Sequence, residues 1–175
     1  FISKSTPIEL FAKDYESGLD YIEYSVDGGG FKKFEGNFNI EEEGFHTIKF
    51  RSYDKVHNLE SVKESEVFVD NNAPAIYANF SIRPIGSETH EGGPLKVYPT
   101  YTKLYLGATD KNSGAESIHY RVNGGALIEY ASSGNLDVSE ARMLKEEGHY
   151  EITIYAEDKL GNESEKSIEF FIRKK

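Results

Sequence analysis

The stretch IELFAKD at residues 8–14 recurs as LYLGATD at residues 104–110, an offset of 96 positions (110 minus 14). A second block, Gly44–Asn58, matches Gly148–Asn162 at an offset of 104 positions (148 minus 44). The second copy therefore carries eight additional residues (104 minus 96) between the two blocks. A repeat that keeps its register over two separate blocks indicates two copies of one structural unit.

Apolar and polar residues alternate within the repeated blocks. Ile22, Tyr24 and Val26 are separated by single polar residues, the pattern of a strand with one buried face. Asp27-Gly28-Gly29 and Asn123-Gly124-Gly125 follow such strands and supply the positive φ angles of a tight hairpin turn. The sequence thus predicts antiparallel strands joined by hairpins, with one short helical turn over residues 139–145.

The predicted fold class is all-β, with two tandem immunoglobulin/fibronectin III-like antiparallel β-sandwiches. The first domain spans residues 1–70 and lacks its first strand, because Phe1 lies just upstream of the strand at residue 8. The second domain spans residues 71–175, opens with a candidate strand at 76–84 and has insertions at about 86–99 and 126–145. A missing strand exposes unpaired backbone, so we expect a neighbouring chain near Phe1.

One strand of each copy opens with a corner motif. Gly148-His149-Tyr150 fits the tyrosine corner of immunoglobulin-like domains, in which the tyrosine hydroxyl bonds to nearby backbone. The first copy reads Gly44-Phe45-His46, so His46 stands where the tyrosine is expected. We interpret His46 as a structural substitute and not as a ligand, since no partner group is near it in sequence.

The composition of the sequence, and the catalytic motifs that it does not contain, argue against several functions. A net charge of -10 disfavours nucleic-acid binding, and the absence of Cys excludes disulfides and cysteine zinc sites. No apolar run approaches the roughly 20 residues of a membrane-spanning helix. The first residues show neither an initiator Met nor a signal peptide, which we interpret as the start of an excised fragment. No nucleophile elbow, phosphate-binding loop or zinc-protease motif occurs, so no enzyme is predicted.

Four further patterns carry a family resemblance: Ala-x-Asp-x-x-Ser-Gly from Ala12, Ile-x-Tyr-x-Val-Asp-Gly-Gly from Ile22, Glu-Gly-x-His-x-Ile from Glu43 and Asp-x-x-x-Asn from Asp54. Together they resemble the bacterial Ig-like repeat of the leptospiral outer-membrane L-type (so-called β-barrel) family. The chain departs from it at His57, where that family favours Gly. The resemblance implies an extracytoplasmic protein, at the bacterial cell surface or secreted, that serves adhesion, matrix binding or spacing.

Oxygen-rich side chains are expected to converge at the same end of each predicted domain. The six candidates for calcium binding are Asp14, Asp54, Asn58, Asp110, Asp158 and Asn162. The alternative is that these residues cap turns by bonding to their own backbone. No other metal or cofactor is predicted; His90, which lies beside Glu88 and Glu91 in a Gly-rich segment, is interpreted as solvated.

Outward-facing aromatic residues are the candidates for binding a partner. They are Phe11 and Tyr105, which are predicted to lie at matching positions of the two copies, together with Tyr21, Phe31 and Phe34. These rings suit a protein or glycan ligand, or contacts with neighbouring repeats of the parent protein. The sequence therefore predicts a non-catalytic surface module for adhesion, ligand binding or spacing. The alternative is an accessory carbohydrate-binding or spacer module of a secreted hydrolase.

Overall fold

The computed structural model of the protein describes residues 1–132, 142–143 and 146–174. Those residues contain thirteen strands and no helix, which confirms the all-β prediction for this part of the chain. The strands belong to two compact units, Phe1–Asn71 and Asn72–Lys175.

The first unit contains one four-stranded antiparallel sheet in the order β2-β1-β3-β4. Its strands are β1 (Leu19–Val26), β2 (Lys32–Lys33), β3 (Gly44–Asp54) and β4 (Lys63–Val69). Asp27 and Gly28 adopt φ angles of 51° and 75°, and the Gly29 amide donates to the Val26 carbonyl at 2.9 Å. This turn joins β1 to β2 and confirms the predicted hairpin.

The prediction of a strand that begins at residue 8 is wrong. The structure describes every residue of the first unit. Ile8 makes a single antiparallel bridge with Phe38, and no strand forms from residue 8 to residue 14. The equivalent segment of the second unit is a strand because another strand pairs along its length. Ile2, by contrast, forms a parallel bridge with Val69, and its carbonyl accepts a hydrogen bond from the Asp70 amide at 2.9 Å. Sequence alternation alone therefore did not suffice to form a strand without its neighbour.

The second unit contains two sheets. The larger has the order β10-β9-β12-β13-β7-β6 and the smaller β11-β8-β5. Their strands are β5 (Ala75–Phe80), β6 (Gly86–His90), β7 (Gly93–Pro99), β8 (Lys103–Thr109), β9 (Ala115–Val122), β10 (Ile128–Ser132), β11 (Arg142–Met143), β12 (Gly148–Asp158) and β13 (Glu163–Arg173). All the pairings are antiparallel except that of β7 with β13.

Two segments of the second unit that the sequence analysis singled out contain strands. Residues 86–99, where an insertion is predicted, form the hairpin of β6 and β7. The parallel pairing of β7 with β13 resembles the Ile2 bridge to Val69 in the first unit. Arg142–Met143 pairs with β8 instead of forming a helical turn, and the rest of residues 139–145 lies outside the described residues.

Both sheets of the second unit contribute to one apolar core. The largest fully buried side chains come from the six-stranded sheet: Ile118, Ile152, Ile154, Phe170 and Ile172. Ile76, Leu104 and Leu106 of the three-stranded sheet pack against them. Complete burial of each such side chain contributes about 1.5–3 kcal/mol. Ile152, Ile154 and Ala156 are buried at alternate positions of β12, as expected for a strand with one buried face.

The first unit has a smaller core. Ile40, Ile48 and Val69 are its buried centre, with Ile2, Ile8 and Phe38 packed around them. Beside this centre, Tyr24 stacks on Phe38 with ring centroids 4.1 Å apart. Residues 2–8 thus contribute apolar contacts to the unit even though they form no strand of any length.

Candidate functional site

The corner motif is present in both units with different side chains. The Tyr150 hydroxyl donates to the Glu146 carbonyl at 3.1 Å, and His46 Nε2 lies 2.8 Å from the Glu42 carbonyl. In each case the acceptor is four residues upstream. The structural role predicted for His46 is therefore confirmed by its contacts.

His46 makes a second bond that its tyrosine counterpart lacks. Its Nδ1 atom lies 2.7 Å from Asp27 Oδ2, and the side chain of His46 is 6% exposed. A carbonyl and an ionised carboxylate only accept hydrogen bonds, so both contacts are hydrogen bonds when the imidazole is protonated and donates from both nitrogens. The bond to Asp27 raises the pKa of His46 against the effect of burial, and the same bond lowers the pKa of Asp27.

The calcium candidates of the first unit lie close together around Ser17. The Ser17 hydroxyl is 2.6 Å from Asp14 Oδ2 and 2.7 Å from Asp54 Oδ2, so two carboxylates share one proton donor. Asp54 also accepts the Val56 amide at 3.0 Å and both the backbone and side-chain nitrogens of Asn58 at 2.7 Å. These bonds, with that from Ser17 the largest contributor, lower the pKa of Asp54.

The second unit repeats this arrangement. Asp158, which is 1% exposed, accepts bonds from the Ser113 hydroxyl, the Leu160 amide and Asn162 at 2.8 Å each. Burial alone would raise the pKa of Asp158, but these donors outweigh burial and lower it. Asp110 Oδ1 accepts the backbone amide of Gly114 at 2.8 Å. In both units the oxygens bond to the turns themselves, as in the capping alternative, while calcium binding stays a prediction.

Three of the five candidate aromatic residues line one groove of the first unit. Phe11, Tyr21 and Phe34 surround a volume of about 310 Å³ together with Leu10 and Lys33. Phe11 is 83% exposed. Tyr21 stacks on Tyr53 at 4.6 Å, and Phe34 packs edge-on to Tyr24 at 6.1 Å, which holds both rings in place.

The other two candidates lie elsewhere. Phe31 is 37% exposed and packs under the Arg51 guanidinium, 4.3 Å from its ring centre. Tyr105 is half-buried on β8 of the second unit. Tyr105 and Phe11 do not correspond position by position, because the offset of 96 pairs Phe11 with Gly107 (11 plus 96). Within the first unit, three of the four candidates line the groove, and Phe31 does not.

The structure also shows a cluster that the sequence analysis missed. His90, His149 and Glu169 place one potential ligand atom each within 4.8 Å of one another. Glu88, the sequence neighbour of His90, instead forms a two-point ion pair with Arg173 at 2.9 and 2.6 Å. His149 is 59 positions from His90 (149 minus 90), and no motif spacing connects them. Only the pairing of β6, β7, β13 and β12 brings them together.

Comparisons with known proteins find similarity in structure. No family model and no curated protein sequence matches the chain. Among solved structures, the chain is similar to the fibronectin(III)-like modules of Clostridium thermocellum CbhA at 12% identity. That match covers 93% of this chain and 83% of the other, with a TM-score of 0.39. In the part of the chain that the structure describes, no helix is long and apolar enough to span a bilayer.

Proposed function

We propose that this chain is a pair of non-catalytic immunoglobulin/fibronectin III-like sandwich modules from a bacterial cell-surface or secreted protein. Its role is adhesion, ligand binding or spacing. The single observation that carries the binding role is the groove beside Phe11, a large aromatic side chain that is 83% exposed.

The sandwich assignment is supported by the packing of the second unit. Side chains of its two sheets meet in one apolar cluster, in which Leu104 and Leu106 of β8 pack with Ile152 and Ile154 of β12. Facing layers with alternating inward residues are typical of sandwich domains. The repeat of corner and turn bonds supports the same architecture for the first unit.

The polar clusters support a scaffold role more than a reactive one. Asp54 and Asp158 accept hydrogen bonds from their own turns and from a serine of the neighbouring loop, Ser17 or Ser113. His46 is likewise bonded at both nitrogens. A general base or nucleophile must present its reacting atom to a substrate. These side chains instead hydrogen-bond to other residues of their own unit.

The groove beside Phe11 has the chemistry of a recognition surface. Aromatic rings bury large areas at low cost in side-chain entropy, and they stack on sugars or fill protein pockets. Lys33 lies 5.0 Å from the centre of the Tyr21 ring and places a cation at the rim. Because Tyr21 and Phe34 are held by neighbouring rings, the groove is preorganised for a ligand.

The experiment is to probe the whole chain against a glycan array and a panel of matrix proteins. Phe11→Ala is expected to weaken the observed binding at least about tenfold, the range of an aromatic anchor. Phe45→Ala is the matched control, because Phe45 is 80% exposed in the same unit and does not line the groove. Equal losses in both variants would overturn the assignment of the groove.

The same panel separates the two functional classes. Binding to matrix proteins supports an adhesion module. Binding to sugars only favours the accessory module of a secreted hydrolase. Absence of binding to either class would overturn the adhesion and ligand-binding roles and leave spacing.

A further inference from the structure

A pair of stacked histidines covers a phenylalanine on the second unit. His90 ends β6 and His149 lies near the start of β12, and their rings stack with centroids 4.4 Å apart. Both rings contact Phe171 of β13, at 5.7 and 5.3 Å between centroids. Phe171 is consequently only 9% exposed. The imidazoles are half-buried, which restricts their orientation.

Glu169 completes the cluster with an oxygen donor. Its Oε2 atom lies 3.3 Å from His149 Nε2. The strand register explains the approach, since His149 pairs with Phe171 and Glu169 is two positions along β13 on the same face. Two imidazole nitrogens and one carboxylate oxygen therefore converge from two sheet strands and a hairpin end.

The distances match the needs of a tetrahedral zinc ion. Bonds of about 2.0–2.1 Å in tetrahedral geometry place ligand atoms about 3.3 Å apart. The contact of His149 with Glu169 already has this length. The widest separation in the cluster is within 4.8 Å, so the ligand atoms must approach by at most about 1.5 Å (4.8 minus 3.3). Coordination also requires the two stacked rings, whose planes differ by 26°, to turn until the ion lies in the plane of each imidazole.

The surroundings favour a cation. Phe171 forms an apolar floor that excludes water from one side of the cluster and so strengthens metal–ligand bonds. Arg173 is the nearby positive charge, with its guanidinium 4.6 Å from the Phe171 ring centre. That charge is compensated by the two-point ion pair with Glu88. The net charge of the chain, -10, adds a general attraction for cations.

We propose that His90, His149 and Glu169 form a binding site for Zn²⁺, with water as the fourth ligand. Imidazole and carboxylate donors suit zinc better than calcium or magnesium, which take oxygen ligands. A bound ion would connect the end of β6 to the start of β12, two segments that are far apart in the sequence.

The test is a Zn²⁺ titration of the whole chain. The imidazole NMR signals of its five histidines are recorded at each zinc concentration. The expected result is one equivalent bound, with shifts at His90 and His149 and none at His46, His57 and His119. Mg²⁺ at the same concentrations should leave the signals of His90 and His149 in place. Zinc binding that shifts neither of these two histidines up to millimolar concentration would overturn the proposal.

Variants assign the ligands. His149→Ala and Glu169→Gln should each weaken zinc binding at least about tenfold, the effect expected on losing one of three ligands. His119→Ala is the matched control, since His119 is a half-buried histidine on the same sheet. If an alanine variant fails to fold, the near-isosteric Glu169→Gln still decides the question. Unchanged zinc affinity in Glu169→Gln would show that the site is not the one described.

Discussion

His46 Nδ1 lies 2.7 Å from Asp27 Oδ2, and the two residues hold one charged corner of the first unit. Asp27 Oδ1 also accepts the Thr47 amide at 2.8 Å. In the second unit, Asn123 Oδ1 accepts the Glu151 amide at the same distance, and the corner residue is the neutral Tyr150. The two corners thus share a geometry, but only the corner of the first unit contains an ionisable pair. The stability of the first unit is therefore expected to depend on pH.

We expect the first unit to lose stability as the pH rises above neutrality. The pKa of His46 is raised above its usual 6.5, so its contribution is complete below pH 6.5 and is lost as the pH passes the raised value. The pKa of Asp27 is lowered below 3.8, so its contribution is lost only in stronger acid. Urea unfolding monitored by NMR signals of the first unit, from pH 4 to 9, measures this.

Asp27→Asn is the control for the pH effect, because it places in the first unit the residue that the second unit carries. The variant retains an acceptor for the Thr47 amide but removes the carboxylate that charges His46. It should flatten the dependence between pH 6 and 9. A wild-type first unit whose urea midpoint does not change over that range would contradict the charged pair.

His57→Gly should stabilise the first unit by about 1 kcal/mol. His57 adopts a φ of 67°, a left-handed conformation that is strained for any residue with a Cβ atom. The equivalent turn of the second unit has Gly161 at a φ of 82°. Replacing His57 relieves about 1–2 kcal/mol of strain, partly offset by the greater freedom of unfolded glycine. Denaturant midpoints measure the change.

The reciprocal variant Gly161→His should destabilise the second unit by about 1–2 kcal/mol. Space is available there, because a Cβ atom on Gly161 would approach Glu157 Oε1 only to 3.8 Å. The cost would therefore come from the backbone and not from a clash. Changes of similar size and opposite sign in the free energy of unfolding of the two units would confirm the conformational origin. A destabilising effect of His57→Gly would contradict it.

Asp158→Ala should destabilise the second unit by about 3 kcal/mol or more. The substitution removes the oxygen that accepts the backbone amides of Leu160 and Asn162, both at 2.8 Å, in a part-buried turn. Each buried donor that loses its acceptor costs about 1–3 kcal/mol. Asp158→Asn retains one oxygen and should cost less. A loss below about 1 kcal/mol for Asp158→Ala would contradict the capping role.

Calcium should leave the thermal midpoints of both units unchanged at millimolar concentration. The oxygens of Asp54 and Asp158 bond to amide donors of their own turns and to a serine hydroxyl of the neighbouring loop, and a calcium ion would have to displace those donors. Differential scanning calorimetry with and without calcium measures the shift. A rise in either midpoint that disappears in Asp54→Asn or Asp158→Asn would instead support calcium binding.

The open edge at residues 9–13 should exchange its amide protons faster than residues 105–109 of β8. In the second unit β5 pairs with β8 from Ala75 to Phe80, whereas the first unit has no such strand beside residues 9–13. Hydrogen exchange of backbone amides reports local opening, and paired strands are protected. Equal protection of the two segments would mean that residues 9–13 have a partner in solution.

The repeat, the β-strands and the hairpin turns were predictable from the sequence because they depend on local features. Alternation places Ile152 and Ile154 on one face, and Asp27-Gly28 supplies the angles of a turn, whatever the rest of the chain does. The corner role of His46 was predictable from its alignment with Tyr150, and the convergence of the Asp and Asn turns from the repeat.

Contacts between distant segments decided the rest. The charge on His46 depends on Asp27, 19 positions away, and the cluster of His90, His149 and Glu169 depends on a sheet order that brings β6 near β12. Residues 8–14 alternate like a strand but form none, because strand formation requires a paired neighbour as well as a suitable pattern. Periodicity is a property of one segment, whereas register and proximity belong to pairs of segments, and only the tertiary structure supplies the second member of each pair.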